Sequence, residues 1–247
     1  MRLRTALEYG LISVTAVVLL AASFIPGNAA APADRSVMSS TRNAVAKLSY
    51  AVRPLSHPKA LETAFRSYFA YRAEHPKKVT KPYLYFVDYG LPSTKPRGYV
   101  FDMEALRLVE GPFPVAHGRG SSKERYGVPT SFSNRPGSAA TSLGLYLAEE
   151  IYDFNGNTGS HRYRSIGLRL RGLSRGFNDN ARIRGVVAHG APYVNDKAAG
   201  RSEGCPAIEQ PRARRLLPKL ANGGMVFLFA PEKEWMSDDP WVVAGAN

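Results

Sequence analysis

The stretch Val186–Ile208, V-V-A-H-G-A-P-Y-V-N-D-K-A-A-G-R-S-E-G-C-P-A-I, decides how this chain is read. It opens as an apolar, β-rich run ending in His189 and Gly190, crosses a polar loop, and returns to Gly204 and Cys205. Cys205 is the only cysteine in 247 residues. A thiol is a weak nucleophile until a base withdraws its proton, so thiol chemistry needs an imidazole within hydrogen-bond reach. A strand ending in His and a loop returning to Cys can supply that contact. Gly204 permits a tight turn, which can aim backbone N–H groups at Gly204 and Cys205 toward a developing oxyanion. The expected catalytic set is Cys205, His189 and Gly204, with Ser202 and Gly190 bordering the substrate.

Outward from this stretch, several spaced elements agree with one family. L-R-L-R-G-L (Leu168–Leu173), N-A-R-I-R (Asn180–Arg184), V-A-H-G-A-P-Y-V (Val187–Val194) and G-R-S-E-G-C-P-A (Gly200–Ala207) resemble the L,D-transpeptidase (YkuD-type) catalytic domain, in its murein L,D-transpeptidase branch. The resemblance covers roughly Lys81 to Pro231. Nucleophile and base carry over onto Cys205 and His189. Two positions depart from the family pattern: Glu203 stands where His is usual, and Ala207 where Arg or Asn is usual. The substrate-anchoring polar group after the cysteine therefore does not carry over, and Arg201 and Arg169 are the candidates to replace it.

Composition bounds the rest. The chain is long enough for a sizeable core, and a net charge of +13 attracts anionic partners without choosing among nucleic acid, acidic lipid and wall polymer. The N-terminus narrows that choice. Arg2 and Arg4 precede an apolar run from Leu11 to Ile25, followed by Pro26, Gly27 and small residues through Ala31. This is the pattern of a secretory signal peptide. Extended back through residue 7, the run 7–25 also has the length of a membrane anchor, although Glu8 and Pro26 speak against one. Export to the periplasm or cell envelope follows from either reading, and nucleic acid drops out as a partner. A lone cysteine in an oxidising compartment has no internal disulfide partner, so it is buried or used.

Four segments are expected: 1–31 signal or anchor, 32–80 linker and helical extension, 81–235 catalytic domain, 236–247 tail. Residues 31–40 read as linker. Leu61, Phe65, Tyr68 and Arg72 share one face of a helix over Pro58–Glu74. From Lys81 strands dominate, with one helix at Gln210–Leu220 after the cysteine loop. The expected fold is mainly β: a YkuD-like mixed β-sandwich or open barrel with a few short helices, after a short helical N-terminal region.

Val-Ala-His-Gly occurs twice, at Val115–Gly118 and Val187–Gly190. Either histidine can in principle serve as base; the family motif and the short loop to Cys205 favour His189. His117 reads equally as groove wall or backbone-bonded strand end. His161, in a Gly/Asn/Ser-rich loop, is a groove residue or merely exposed. These three histidines are too dispersed for a zinc signature, so no metal is expected. Most arginines between Arg162 and Arg184 read as a solvated strand face.

The resemblance implies acyl transfer without a cofactor. The Cys205 thiolate attacks the third residue of a peptidoglycan stem tetrapeptide, D-Ala leaves, and an amine on another stem opens the thioester to give a 3→3 cross-link. Two other classes stay open. One is an L,D-carboxypeptidase or wall-link hydrolase using the same thiol; the other is a non-catalytic basic wall-binding protein.

Overall fold

The structure, a computed structural model, describes residues 32–243. The signal or anchor segment 1–31 lies outside the described residues, and among the described residues no helix is long and apolar enough to cross a membrane.

Helix α1 spans Pro32–Leu48, so residues 32–40, expected as linker, are helical. Proline is tolerated in a first helical turn, Asp34 complements the dipole there, and no glycine or second proline interrupts the run. Its Ala44 and Leu48 reach the core, docked on α2 (Ala60–Glu74). Helix α2 buries Leu61, Phe65, Tyr68 and Tyr71 at the three-to-four spacing of one face, and Phe65 meets Phe101 edge-on at 5.2 Å. Its aromatics are core.

The strands follow: β1 Tyr83–Asp88, β2 Gly98–Asp102, β3 Arg107–Phe113, β4 His117–Gly118, β5 Gly144–Thr158, β6 His161–Gly172, β7 Val187–Ala191, β8 Arg201–Ser202 and β9 Ala207–Glu209. After helix α3 (Gln210–Leu220) comes β10, Met225–Phe229. The expected mainly β architecture takes the form of one open, mixed eight-stranded sheet in the order β3-β2-β1-β10-β5-β6-β7-β9, plus the two-stranded sheet β4-β8. In the larger sheet β1 pairs with β10, and β7 with β9, in parallel; the other pairs are antiparallel. Strands β1, β2 and β10 are buried on both faces and read as continuous apolar runs. Helix α3 lays Ala213, Leu216, Leu217 and Leu220 inward, the spacing that makes its boundaries readable from sequence.

Two elements differ from expectation. Residues 153–164 are not a loop. Strands β5 and β6 pair without a break from Asp153↔Ile166 to Thr158↔His161, around a turn at Gly159 and Ser160. Gly159 takes φ +60°, as a two-residue hairpin turn requires. Residues 236–243, expected as tail, are helical in α4 (Lys233–Asp238) and α5 (Pro240–Val243), and the buried Trp235 donates its indole N–H to Asp239 Oδ2 at 2.7 Å.

Candidate active site

Cys205 lies in the short connection between β8 and β9. Parallel pairing of β9 with β7 sets His189 opposite Ala207, two residues past the thiol. The loop is closed by one hydroxyl. Ser202 Oγ donates to the Cys205 carbonyl at 2.7 Å and accepts the Gly204 N–H at 3.2 Å. Gly204 takes φ +119°, and a Cβ there would lie 2.8 Å from the Ala140 carbonyl oxygen, so both conformation and space require glycine. The Gly204 N–H is thus committed to Ser202, whereas the expected oxyanion site used it together with the Cys205 N–H.

The loop is built on a template. Strand β4 lies against β8 on one side, with His117↔Arg201 and Gly118↔Ser202 in register. On the other side Ala116 N–H donates to Ala207 O at 2.8 Å. Both arms of the cysteine loop are therefore strung on residues 116–118. Tyr89 Oη fixes the same strand, donating to Ala116 O at 2.9 Å.

His189 is buried, its ring stacked on Phe154 with centroids 4.1 Å apart. Its Nδ1 meets the Gly190 carbonyl at 3.1 Å. A carbonyl only accepts, so Nδ1 carries the proton and Nε2 keeps the lone pair a base needs. Burial pushes the imidazole down to about 4, with the Gly190 carbonyl opposing. The Cys205 thiol is pushed up by burial, against the Val187 N–H and the Arg184 guanidinium, which favour the thiolate; Glu203 adds to the rise. Sγ points at the Gly185 carbonyl at 3.9 Å. A raised thiol and a lowered imidazole describe a neutral pair at rest rather than a thiolate–imidazolium pair.

The remaining expected site residues fall in different places. His161 sits exposed at the hairpin tip, where β6 begins, and does not join the cysteine loop. His117 is fully buried, Nδ1 against Arg97 Nη2 at 2.9 Å. Because a guanidinium only donates, Nδ1 is the acceptor and Nε2 carries the proton. Burial and the Arg97 charge push His117 down to about 3. Through it Arg97 holds the template strand by a side chain as well as by the Val115 carbonyl. Arg201 donates through Nη1 to the carbonyls of Ser122 (3.0 Å) and Lys123 (3.1 Å), tying β8 to the segment after β4. Arg169 pairs with Glu150 at 2.8 Å and lies over Tyr152. Both guanidiniums expected to replace the missing anchor thus have intramolecular partners. Gly190 is needed for packing, since a Cβ would meet Ser165 Oγ at 2.4 Å and Ala213 Cβ at 3.0 Å. Glu203, the departure before Gly204, forms an exposed ion pair with Arg119 at 2.7 Å.

Sequence reasoning missed Phe154 and Arg184. Phe154 was hidden in the supposed loop. Arg184 belongs to a turn before β7, half-buried, and its guanidinium grips residues 133–142. Its place in N-A-R-I-R was the available signal.

Residues 53–229 match the family model of the L,D-transpeptidase catalytic domain. The chain belongs to this family. The matched span contains the template strand, His189 and the whole cysteine loop. No curated protein matches the chain. Among solved structures it is similar to an L,D-transpeptidase from Mycobacterium smegmatis, at 14% identity over 60% of this chain and 59% of that one, with TM-score 0.35. A second is the L,D-transpeptidase (residues 123-326) from Xylanimonas cellulosilytica, at 14% identity, 60% and 61% coverage and TM-score 0.35. The chain thus spans about 60% of the length of these solved relatives.

Proposed function

We propose that the protein is an exported L,D-transpeptidase acting on peptidoglycan stem peptides through a Cys205 thioester. The observation that carries this reading is the β7–β9 register, which sets a buried, Nδ1-protonated His189 beside the strand leaving the family's cysteine loop. With thiol and imidazole neutral at rest, Nε2 takes the thiol proton as Sγ attacks the carbonyl carbon of the third stem residue. The bond to D-Ala then breaks, His189 returns the proton to the leaving amine, and a thioester remains. An acceptor amine on a second stem attacks that thioester, loses its proton to His189 and expels the thiolate, which regains the proton. The Cys205 N–H is the loop donor aimed at the oxyanion once the Gly204 N–H is committed to Ser202. Arg2, Arg4 and the apolar run Leu11–Ile25 support the reading of export to the periplasm or envelope.

Incubation with purified tetrapeptide muropeptide tests the reading. Cross-linked dimers and free D-Ala in the mass spectrum, absent with Cys205→Ala, are expected. Tripeptide without dimers would make the enzyme a carboxypeptidase, and unchanged substrate would remove the catalytic reading.

A further inference from the structure

Several arginines stand near the Cys205 loop; Arg201, in β8, meets only the Ser122 and Lys123 carbonyls, and most of the others meet carboxylates. Arg119 pairs with Glu203, Arg169 with Glu150, and Arg182 with both Glu149 and Glu150. Arg184 does not. Its Nη1 donates to Ser133 O (2.7 Å) and Ser142 Oγ (3.1 Å), and its Nη2 to Ser138 Oγ (3.2 Å) and Ala140 O (2.7 Å). All four acceptors are neutral, and among the described residues no carboxylate pairs with it. Four hydrogen bonds fix the guanidinium in a half-buried place while its full charge stays uncancelled.

That charge borders the nucleophile. The point where a Cβ on Gly204 would lie is 2.8 Å from Ala140 O and 3.5 Å from Arg184 Nη2. Gly204 directly precedes Cys205. The segment that Arg184 grips is therefore the wall against which the cysteine loop turns. The phenols within electrostatic reach of the thiol, Tyr89, Tyr146, Tyr152, Tyr163 and Tyr193, are all pushed upward by burial and stay neutral. His189 is neutral as well. Of the charged groups, Glu203 disfavours the thiolate but has the exposed Arg119 as partner, which leaves Arg184 as the cation that favours it.

We propose that Arg184 is a positioning residue for the reaction, shaping the wall of the cysteine loop and supplying the fixed positive charge that favours the Cys205 thiolate. The proposal rests on the reading of Cys205 as nucleophile, but not on which substrate it acylates. An opposite charge in a partly buried site is weakly screened by water and shifts a neighbouring thiol toward ionisation.

Iodoacetamide alkylation of the full chain tests it, because Cys205 is the sole thiol. The rate is measured against pH for the wild type, Arg184→Gln, Arg184→Lys and the control Arg182→Gln. In Arg184→Gln the profile should move to higher pH, with alkylation at neutral pH about ten-fold slower. Arg184→Lys should keep the wild-type midpoint, and Arg182→Gln, whose charge is already paired, should match the wild type. With stem peptide, the Gln variant should lose kcat with KM little changed. A folded Arg184→Gln that tracks the wild-type profile would overturn the proposal. If the Gln variant fails to fold by circular dichroism, Arg184→Lys decides: an unshifted midpoint supports a charge role, and a shifted one overturns it. An Arg184-dependent alkylation profile without acyl transfer would sink the substrate reading and leave this one standing.

Discussion

Ser202 holds Cys205 by its backbone: the hydroxyl donates to the Cys205 carbonyl at 2.7 Å while accepting the Gly204 N–H at 3.2 Å. One buried oxygen thereby fixes the Glu203–Gly204 peptide before the thiol and the Cys205–Pro206 peptide after it. Ser202→Ala leaves the Gly204 N–H without its partner and the Cys205 carbonyl with the Ala207 N–H alone, and should lower stability by about 1–3 kcal/mol. Turnover should fall more than the melting temperature suggests, about ten-fold, since a loosened loop misplaces Sγ. Ser202→Thr retains the hydroxyl and should recover most of the rate. Equal turnover in Ser202→Ala and wild type would show that the clamp is dispensable.

Gly204 makes a stricter demand. At φ +119°, with a carbonyl oxygen 2.8 Å from the place of a Cβ, alanine suffers both strain and a clash with backbone. Gly204→Ala should cost about 1–3 kcal/mol and slow thiol labelling even where the protein still folds. Thermal melts and labelling kinetics on the same preparation check both halves.

The thiol itself gives the simplest chemical test. On the proposed function, the Cys205 thiol should be acylated by β-lactams that fit the groove, with carbapenems expected to react in preference to penicillins. Intact-protein mass spectrometry should show one added drug molecule on the wild type and none on Cys205→Ala. An adduct that survives the substitution would move the reactive group elsewhere.

Two buried histidines predict how stability responds to acid. In the folded chain His117 is held down to about 3 and His189 to about 4, against an ordinary value of 6.5. Below 6.5 the unfolded chain takes up protons that the folded chain refuses, so folding stability falls with pH and stops falling once both folded values are passed. Each histidine contributes a slope of about 1.4 kcal/mol per pH unit within its window. His117→Asn keeps an acceptor for Arg97 but cannot titrate. Its stability should therefore drop less steeply than the wild type's as pH falls from neutral. Asp88 and Asp239, pushed up by burial, oppose this trend in both proteins and cancel in the comparison. Parallel slopes in urea titrations across that range would contradict the assignment of His117 as buried and neutral.

What the sequence makes legible is what is local. The strand carrying His189, which runs on to Ala191, the loop to Cys205 and helix α3 lie within about thirty-five residues, and their periodicity and turn chemistry speak directly. The hairpin over residues 153–164 escapes because Asn, Gly, Thr and Ser look like loop. Its order comes from cross-strand pairing and from Phe154 stacking on a histidine in another strand. The helix at 32–40 escapes because its small polar residues show no apolar face; it continues a helix anchored by Ala44 and Leu48. Arg182 and Arg184 look like alternate residues of a solvated strand. Only the fold shows that one meets glutamates and the other a set of neutral acceptors from residues 133–142.

The template strand has a consequence for the life of the chain before it is an enzyme. Residues 116–118 are made long before Arg201 and Ala207, yet the cysteine loop takes its shape only by closing on them from both sides. These are contacts of high sequence separation, and such contacts form late because a long loop must be closed first. The nascent polypeptide therefore carries an ordinary cysteine, before the turn at Gly204 and the β7–β9 register that pairs His189 with Ala207 have formed. The shape of the cysteine loop arrives with completion of the sheet, so maturation of the fold and arming of the thiol are one event.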